Sequence, residues 1–180
     1  MILGRWRARA ARRDRAHALY TALVEQARSP AFYRDLGVPD TVDGRFDMIV
    51  LHCFLVLRRL RAAGAEGTAL GQAVFEVMFA DMDQNLRQMG VGDLGVGRRV
   101  KAMTQAFMGR VAAYEKAMGE GTAALAATVA RNVYRVEPDA APPGAKVLAD
   151  YVFACDRTLG GQDAASVMDG RLDVPAPTKP

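Results

Sequence analysis

Residues 75–99 read FEVMFADMDQNLRQMGVGDLGVGRR and are the most informative stretch of the sequence. Apolar residues recur every three or four positions in the first half, a spacing that predicts an amphipathic helix rich in Met and Phe. Glycines at positions 90, 92, 95 and 97 interrupt this pattern before an arginine-rich segment begins. The stretch therefore predicts two helices joined by a glycine-rich turn.

The same spacing continues in both directions and predicts an all-α fold, a single compact bundle of about six to seven helices. The predicted helices cover about residues 14–28, a short turn after Ser29-Pro30, and then 42–63, 68–89, 97–118, 122–134 and 144–159. The 42–63 helix is apolar on nearly every side, so it is placed at the centre. Asp40–Gly44 is predicted to cap its start, Gly64 to end it, and Thr68 to cap the next helix.

Positive charge is concentrated at the start of the chain. Residues 1–15 contain six arginines and one aspartate, and the net charge of this segment exceeds the net charge of +4 of the whole sequence. We therefore divide the chain into a basic N-terminal arm (1–15), a helical domain (16–160) and a frayed C-terminal tail (161–180). The polyanion-binding candidates are the arginines of the arm: Arg5, Arg7, Arg9, Arg12, Arg13 and Arg15. Such a cluster favours a polyanionic surface such as RNA or acidic lipid.

Targeting signals and membrane spans are not evident. The longest nearly apolar run, Met48–Leu57, has about 10 residues where a span needs about 20. No apolar segment of the secretory type follows the basic arm. The arm is rich in Arg and poor in acids like a mitochondrial presequence, but it contains no serine, and this alternative stays open.

Two motifs in residues 75–99 resemble ligand sites but lack the required context. Gly90–Gly95 matches GxGxxG, yet a dinucleotide site needs a strand before the glycines, and here a helix precedes them. Asp81, Asp83 and Asn85 match the first ligands of a calcium loop, but Leu86 and Gly92 stand where that loop needs Gly and Glu. We interpret the glycines as a turn and the acids as surface or partner-facing charges.

Catalysis and metal binding are also not predicted. His52 and Cys53 are neighbours on the most apolar helix and point about 100° apart, so they do not form a catalytic pair. Cys53 and Cys155 are too isolated for a Cys/His zinc site or a disulfide framework, and we expect both to be small buried hydrophobes. The sequence predicts a non-enzymatic protein without cofactor or metal.

Three segments resemble the ubiquinol–cytochrome c chaperone family, the assembly factors of respiratory complex III. They are LYTALVEQARSPAFYRDLGVPDTVDGRFDMIVLHCFLVLRRL at 19–60, QAVFEVMFADMDQNLRQMGVGDLGVGRRVKAM at 72–103 and FMGRVAAYEKAM at 107–118. The resemblance implies an all-helical chaperone of the alphaproteobacterial type that binds newly made cytochrome b. It further implies a peripheral location at the inner membrane, on the cytoplasmic side in bacteria or in the mitochondrial matrix in a eukaryote. DNA is not an expected partner.

A chaperone for apolar helices is expected to shield them in an adaptable groove, where Met is favoured. The candidate client groove consists of Phe32, Tyr33, Met82, Leu86, Met89, Val91 and Leu94. For Met82 and Met89, core packing and client contact are equally compatible with the sequence. A second set of charged residues either binds the partner or locks the helices by ion pairs: Arg45, Asp81, Asp83, Arg87, Asp93, Arg98 and Arg110.

An alternative function uses the arm instead of the groove. In that case the chain is an adaptor for ribosomal RNA or for an anionic membrane, bound by the arginines. Ile2, Leu3 and Trp6 fit a membrane interface about as well as the arginines fit RNA. The two functions do not exclude each other.

Overall fold

The computed structural model describes residues 2–178, and side chains from residue 6 to residue 178. The described part has no β-strand, which confirms the all-α class. Its eight α-helices are α1 (Ile2–Ala27), α2 (Pro30–Arg34), α3 (Val42–Ala62), α4 (Gly64–Gln88), α5 (Asp93–Glu120), α6 (Thr122–Val129), α7 (Pro143–Gly161) and α8 (Ala164–Met168). A π-helical segment, Ala130–Tyr134, follows α6, and a 3₁₀ turn, Pro138–Ala140, precedes α7.

Helix α3 is the centre of the fold, as its apolar sequence predicts. It packs against α1, α4, α5 and α7, and nearly all its side chains from Phe46 to Val56 are buried. Thr41 caps its start by accepting a hydrogen bond from the Gly44 N–H at 3.0 Å. A Cβ at position 44 would lie 2.0 Å from the Pro39 carbonyl oxygen, so only glycine fits this cap. The predicted cap at residues 40–44 is confirmed.

Three helix starts differ from the sequence prediction. Helix α1 begins at Ile2, about twelve residues earlier than expected, so residues 2–15 of the predicted arm belong to it. Helix α4 begins at Gly64 immediately after α3, and Thr68 is inside its first turns, where its hydroxyl donates to the Gly64 carbonyl. Helix α5 begins at Asp93, because burial of Val96 keeps the glycine-rich segment helical. Packing overrides the low helix propensity of glycine there.

The C-terminal third closes over the middle of the chain. The Tyr134 hydroxyl donates to the Leu36 carbonyl at 2.9 Å. A Cβ at Gly144 would lie 2.0 Å from the same carbonyl oxygen, so the start of α7 approaches this loop as closely as glycine permits. This contact fixes the position of α7 against the segment that leads into α3.

Residues 161–178, which the sequence predicts as part of a frayed tail, contribute to the core. Asp163 caps α8 by accepting from the Ser166 N–H, and Val167 in that helix is fully buried. Leu172 and Val174 pack against the core from the extended segment beyond it. The sequence missed this packing because the segment has no helical periodicity.

Candidate functional site

The turn between α4 and α5 is held by both backbone and side-chain contacts. Gly90 adopts φ +81°, and the Val91 N–H reaches back to the Leu86 carbonyl at 3.1 Å. The Arg87 guanidinium binds Asp83 one helical turn before it and Asp93 at the start of α5. Arg87 therefore ties the two helices together across the turn.

The predicted client groove divides into a buried and an exposed part. Phe32 is buried against the rings of His52 and Tyr151, so it does not line an open surface. Met82 and Leu86 are also largely buried. The reason is geometric: Phe32, Met82 and Leu86 lie on helix faces that point to the core. The other predicted residues of α4 and α5 lie at or next to the glycine turn. The sequence could not separate the two groups.

Met89 and Leu94 form the exposed part of the predicted groove. Leu94 is 90% exposed and Met89 is 55% exposed, and they flank the clamped turn on either side. Val91 lies between them and is half-buried, with its side chain packed close to the backbone of Gly95. Tyr33 is half-buried too, and its hydroxyl donates to the Ala27 carbonyl. We call Met89, Val91 and Leu94 the turn surface.

The predicted charge network exists as separate pairs rather than as one network. Asp81 accepts a 2.7 Å hydrogen bond from the Tyr20 hydroxyl and so joins α4 to α1. Arg45 pairs with Asp40 at 2.6 Å in the cap of α3. Arg98 is exposed, and it has no acidic partner among the described side chains. The pairs lie on different helix faces, which the spacing of charges in the sequence does not reveal.

A buried ionic cluster around Asp47 was missed by the sequence analysis except for Arg110. Asp47 has no exposed surface, and its carboxylate oxygens lie 2.8 Å from Arg110 Nη2 and 3.2 Å from Arg135 Nη2. Arg135 also reaches Asp43 at 3.2 Å, from a left-handed backbone conformation of φ 58° that ends the π-helical segment. The cluster therefore joins α3, α5 and the segment after α6. Asp47 follows Phe46 within a helical run, so no local signal marks its role.

Burial determines the protonation of Asp47. Desolvation raises the pKa of its carboxyl to about 6, against the opposing attraction of Arg110 and Arg135. Arg110 also stacks over the Phe46 ring, with 5.7 Å between its Cζ and the ring centroid. Tyr114 is fully buried beside the same charges, and burial raises its pKa. This arrangement ties helices together, with Asp47 and Tyr114 buried inside it and Arg135 at its exposed edge.

His52 is a hydrogen-bonded core histidine and has no serine or cysteine nucleophile as a partner among the described residues. Its Nδ1 lies 2.8 Å from the Met48 carbonyl and its Nε2 lies 2.9 Å from the Tyr151 hydroxyl. Because a carbonyl only accepts, Nδ1 carries the proton and Nε2 accepts from the tyrosine. Complete burial lowers the pKa of His52 to about 4, so the ring is neutral at physiological pH. Cys53 is buried, and desolvation raises the pKa of its thiol to about 12.

The arginines at the end of α3 hold neighbouring helices. Arg58 binds Glu115 of α5 and, at 2.9 Å, Asp156 of α7. Arg59 donates to the carbonyls of Leu159 at 2.7 Å and Gln162 at 2.8 Å, at the C-terminal end of α7. Arg59 thereby satisfies carbonyls that a helix end leaves without partners, whereas Arg58 pairs with carboxylates.

Neither a metal centre nor a membrane span is found in the described part of the chain. No three His, Cys, Asp or Glu side chains gather there in a way that could hold a metal ion. None of the helices in residues 2–178 is both long and apolar enough to cross a bilayer. The two cysteines are free and buried, as expected.

The first half of α1 is the second candidate surface. Every residue from 6 to 15 is exposed, and Ala16 is the first fully buried residue of the helix. Trp6 is 72% exposed. The side chain of Arg5, one of the predicted polyanion-binding arginines, lies outside the described residues. Of the others, Arg15 is held by Glu66 and Asp169 on the body, each at 3.1 Å.

Comparison with known proteins gives a consistent result over most of the chain. Residues 34–174 match the family model described as ubiquinol-cytochrome C chaperone. The crystal structure of the Cbp3 homolog from Brucella abortus superimposes with a TM-score of 0.82 at 34% sequence identity. That match covers 98% of this chain and 97% of the Brucella chain.

Curated relatives in animals are more distant. The ubiquinol-cytochrome-c reductase complex assembly factor 1 of Xenopus laevis is 26% identical over 148 residues, which is 81% of this chain and 74% of the frog protein. The human protein of that name is 25% identical over 134 residues. Those residues are 74% of this chain but 44% of the human protein, so the chain spans less than half of that relative.

Proposed function

The chain belongs to the ubiquinol–cytochrome c chaperone family, and from this premise we propose that it binds newly made cytochrome b during assembly of complex III. Members of this family are assembly chaperones of that respiratory complex and not enzymes. Membership therefore confirms the prediction of a non-enzymatic assembly factor. The client and the mode of binding are our proposal.

The observation that supports a client surface is the exposure of Met89 and Leu94 on a fixed turn. Single exposed apolar side chains are common, but Met89 and Leu94 lie at the two ends of one short turn, and apolar side chains that are close together on a surface are typical of a contact site. The hydrogen bond from the Val91 N–H to the Leu86 carbonyl shapes the turn before any partner arrives, and the exposed Arg87 bridge to Asp83 and Asp93 adds a small contribution. A preformed surface loses less conformational freedom on binding.

We propose that the turn surface contacts an apolar helix of cytochrome b before that helix is packed in the complex. Leu94 and Met89 bury their side chains against the client, and the flexible thioether of Met89 adapts to different helix faces. Because the client is a membrane protein, the chaperone works at the surface of the inner membrane. Met82 and Leu86 are buried on α4 in the turns of helix that lead to this surface.

Substitution of both exposed residues tests the proposal. We expect Met89→Asp/Leu94→Asp to recover at least about tenfold less cytochrome b than the wild type when the tagged full-length protein is purified from a gentle detergent extract of its native membranes. The matched control is Val42→Asp, which places an acid at another exposed apolar residue (68% exposed) in the first turn of α3. Circular dichroism should show unchanged helix content in both variants.

The possible outcomes test the turn surface and the identity of the client independently. Equal recovery by the double variant and the control would refute the turn surface while leaving the client in place. No recovery of cytochrome b by the wild type, together with normal complex III haem spectra in a deletion strain, would refute the proposed client.

A further inference from the structure

The exposed half of α1 has a composition and a placement that the chaperone function does not use. Arg7, Arg9, Arg12 and Arg13 are all exposed, and none has an acidic partner within the part of the chain that the structure describes. By contrast, Arg15 is paired twice with the body. The cationic segment thus begins where α1 stops packing, and it is presented on a continuous helix.

From this arrangement we infer that residues 6–13 of α1 dock the protein on an anionic membrane surface. The charge of the segment is complementary to that of an anionic membrane, because the net charge of +4 is located in this segment and the remainder of the chain is near neutral. Unpaired arginines close to an anionic bilayer contribute additively to binding. The rest of the chain also exposes cations, but acids balance them there, so the net positive charge is on this segment.

Trp6 favours a lipid surface as the partner of this segment. Its indole is 72% exposed on the same short segment, and tryptophan beside basic residues is typical of helices that lie in the membrane interface. At about 100° per residue, Trp6, Arg9, Arg12 and Arg13 fall within about 120° of one another around the axis of α1, so they share one face, whereas Arg7 points away from it. Docking through this helix would bring the chaperone to the place where its membrane-protein client emerges.

Trp6 is also the only tryptophan of the chain, which makes it a local reporter. We expect the full-length protein to float with phosphatidylglycerol–phosphatidylcholine vesicles and not with pure phosphatidylcholine vesicles. Its fluorescence emission should shift to shorter wavelength only with the anionic vesicles, because the indole leaves water. No shift and no flotation would overturn the inference.

The charge variant Arg9→Gln/Arg12→Gln/Arg13→Gln tests the segment itself. We expect its partition onto anionic vesicles to fall by about 100-fold, given the contribution of each basic residue near such a surface. The matched control, Arg98→Gln/Arg99→Gln/Lys101→Gln, removes the same charge from exposed positions of α5. It should partition like the wild type. Equal loss in both variants would overturn the inference in favour of net charge alone.

RNA is the remaining competitor and has its own outcome. The wild type and both variants are titrated with a single-stranded RNA oligonucleotide at the same salt concentration. Binding of RNA that depends on Arg9, Arg12 and Arg13, without binding to anionic vesicles, would overturn the membrane assignment. Because neither assay contains cytochrome b, their failure is distinct from failure of the proposed chaperone function.

Discussion

The arginines in the first half of α1 and those in the helical body differ in what surrounds them. Arg7, Arg9 and Arg12 are exposed on α1 without an acidic partner among the described residues. In the body, Arg110 is 16% exposed and bound to Asp47, and Arg58 bridges Glu115 and Asp156. The same side chain thus serves as a helix lock in one region and as a free charge in the other.

The role of an arginine therefore depends on whether it is paired with an acid of the same protein. When a buried ion pair loses one of its two groups, the other group remains as an uncompensated buried charge. Replacement of an exposed arginine leaves no buried charge behind, so it should change stability little. Stability should therefore depend on the arginines of the body, and surface binding on those of α1.

Arg110→Met should have the largest effect. We expect it to lower the free energy of unfolding by about 3 kcal/mol at pH 7, because it leaves Asp47 buried with one cation fewer. Loss of Arg110 raises the pKa of Asp47 further, and a raised native pKa makes the penalty grow as the pH rises through it. Urea unfolding at pH 5 and pH 8 should thus show the smaller loss at pH 5.

Arg98→Met is the matched control, since it changes an exposed arginine on the same helix α5. It should stay within about 0.5 kcal/mol of the wild type. Equal effects of the two substitutions would contradict the assignment of Arg110 as a lock.

His52 and His17 extend the comparison to the two histidines, one buried and one exposed. Because burial lowers the pKa of His52 to about 4, its contribution to stability is present above about pH 6.5 and is lost as the pH falls toward 4. The full shift corresponds to about 3 kcal/mol. Asp47 acts in the opposite direction, since its raised pKa favours the native state at low pH and this contribution is lost as the pH rises through about 6.

Proton NMR of the two imidazole rings measures the His52 titration directly, and His17→Gln assigns the signals. A midpoint for His52 near its ordinary value would show that the ring is open to water and would contradict the Met48 and Tyr151 contacts.

Arg58→Gln should have an intermediate effect. Arg58 is 36% exposed, so loss of its pairs with Glu115 and Asp156 should cost about 1 kcal/mol. Its neighbour Arg61 is more exposed and lies 4.0 Å from Glu115, and Arg61→Gln serves as the control with a smaller loss. Thermal unfolding in low and high salt checks the result, because added salt should reduce the difference between Arg58→Gln and the wild type.

The triple variant of Arg9, Arg12 and Arg13 should have the smallest effect on folding. We expect its free energy of unfolding to remain within about 0.5 kcal/mol of the wild type, since these side chains touch no partner on the body. Urea unfolding in the absence of lipid is the measurement. A loss of more than 1 kcal/mol would show that the start of α1 supports the fold.

The sequence predicted most of the framework because helical spacing is a local signal. The central position of α3, its Thr41 cap and the glycine turn between α4 and α5 all follow from residues close together in the chain. The packing of Leu172 and Val174 was not predicted, since nothing in that extended segment repeats. The early start of α1 was not predicted either, because an exposed arginine-rich helix lacks an apolar stripe.

The candidate site was predicted only in part. The predicted groove combined residues that the structure separates, since Met89 and Leu94 are exposed at the glycine turn whereas Phe32 packs against His52. Whether an apolar residue faces the core or the solvent depends on which helix covers it, and that information is not local. Asp47 was missed for the same reason, since its two arginines come from residues 63 and 88 positions later in the chain.

The sequence alone determined the helical class, the central helix and the concentration of charge at the N-terminus, because composition and periodicity within one segment are sufficient for these. Only the tertiary structure decided which arginines are locks and which are free, and which Met and Leu side chains are open to a partner. The physical reason is that burial and pairing arise between segments far apart in the chain, so no single segment encodes them.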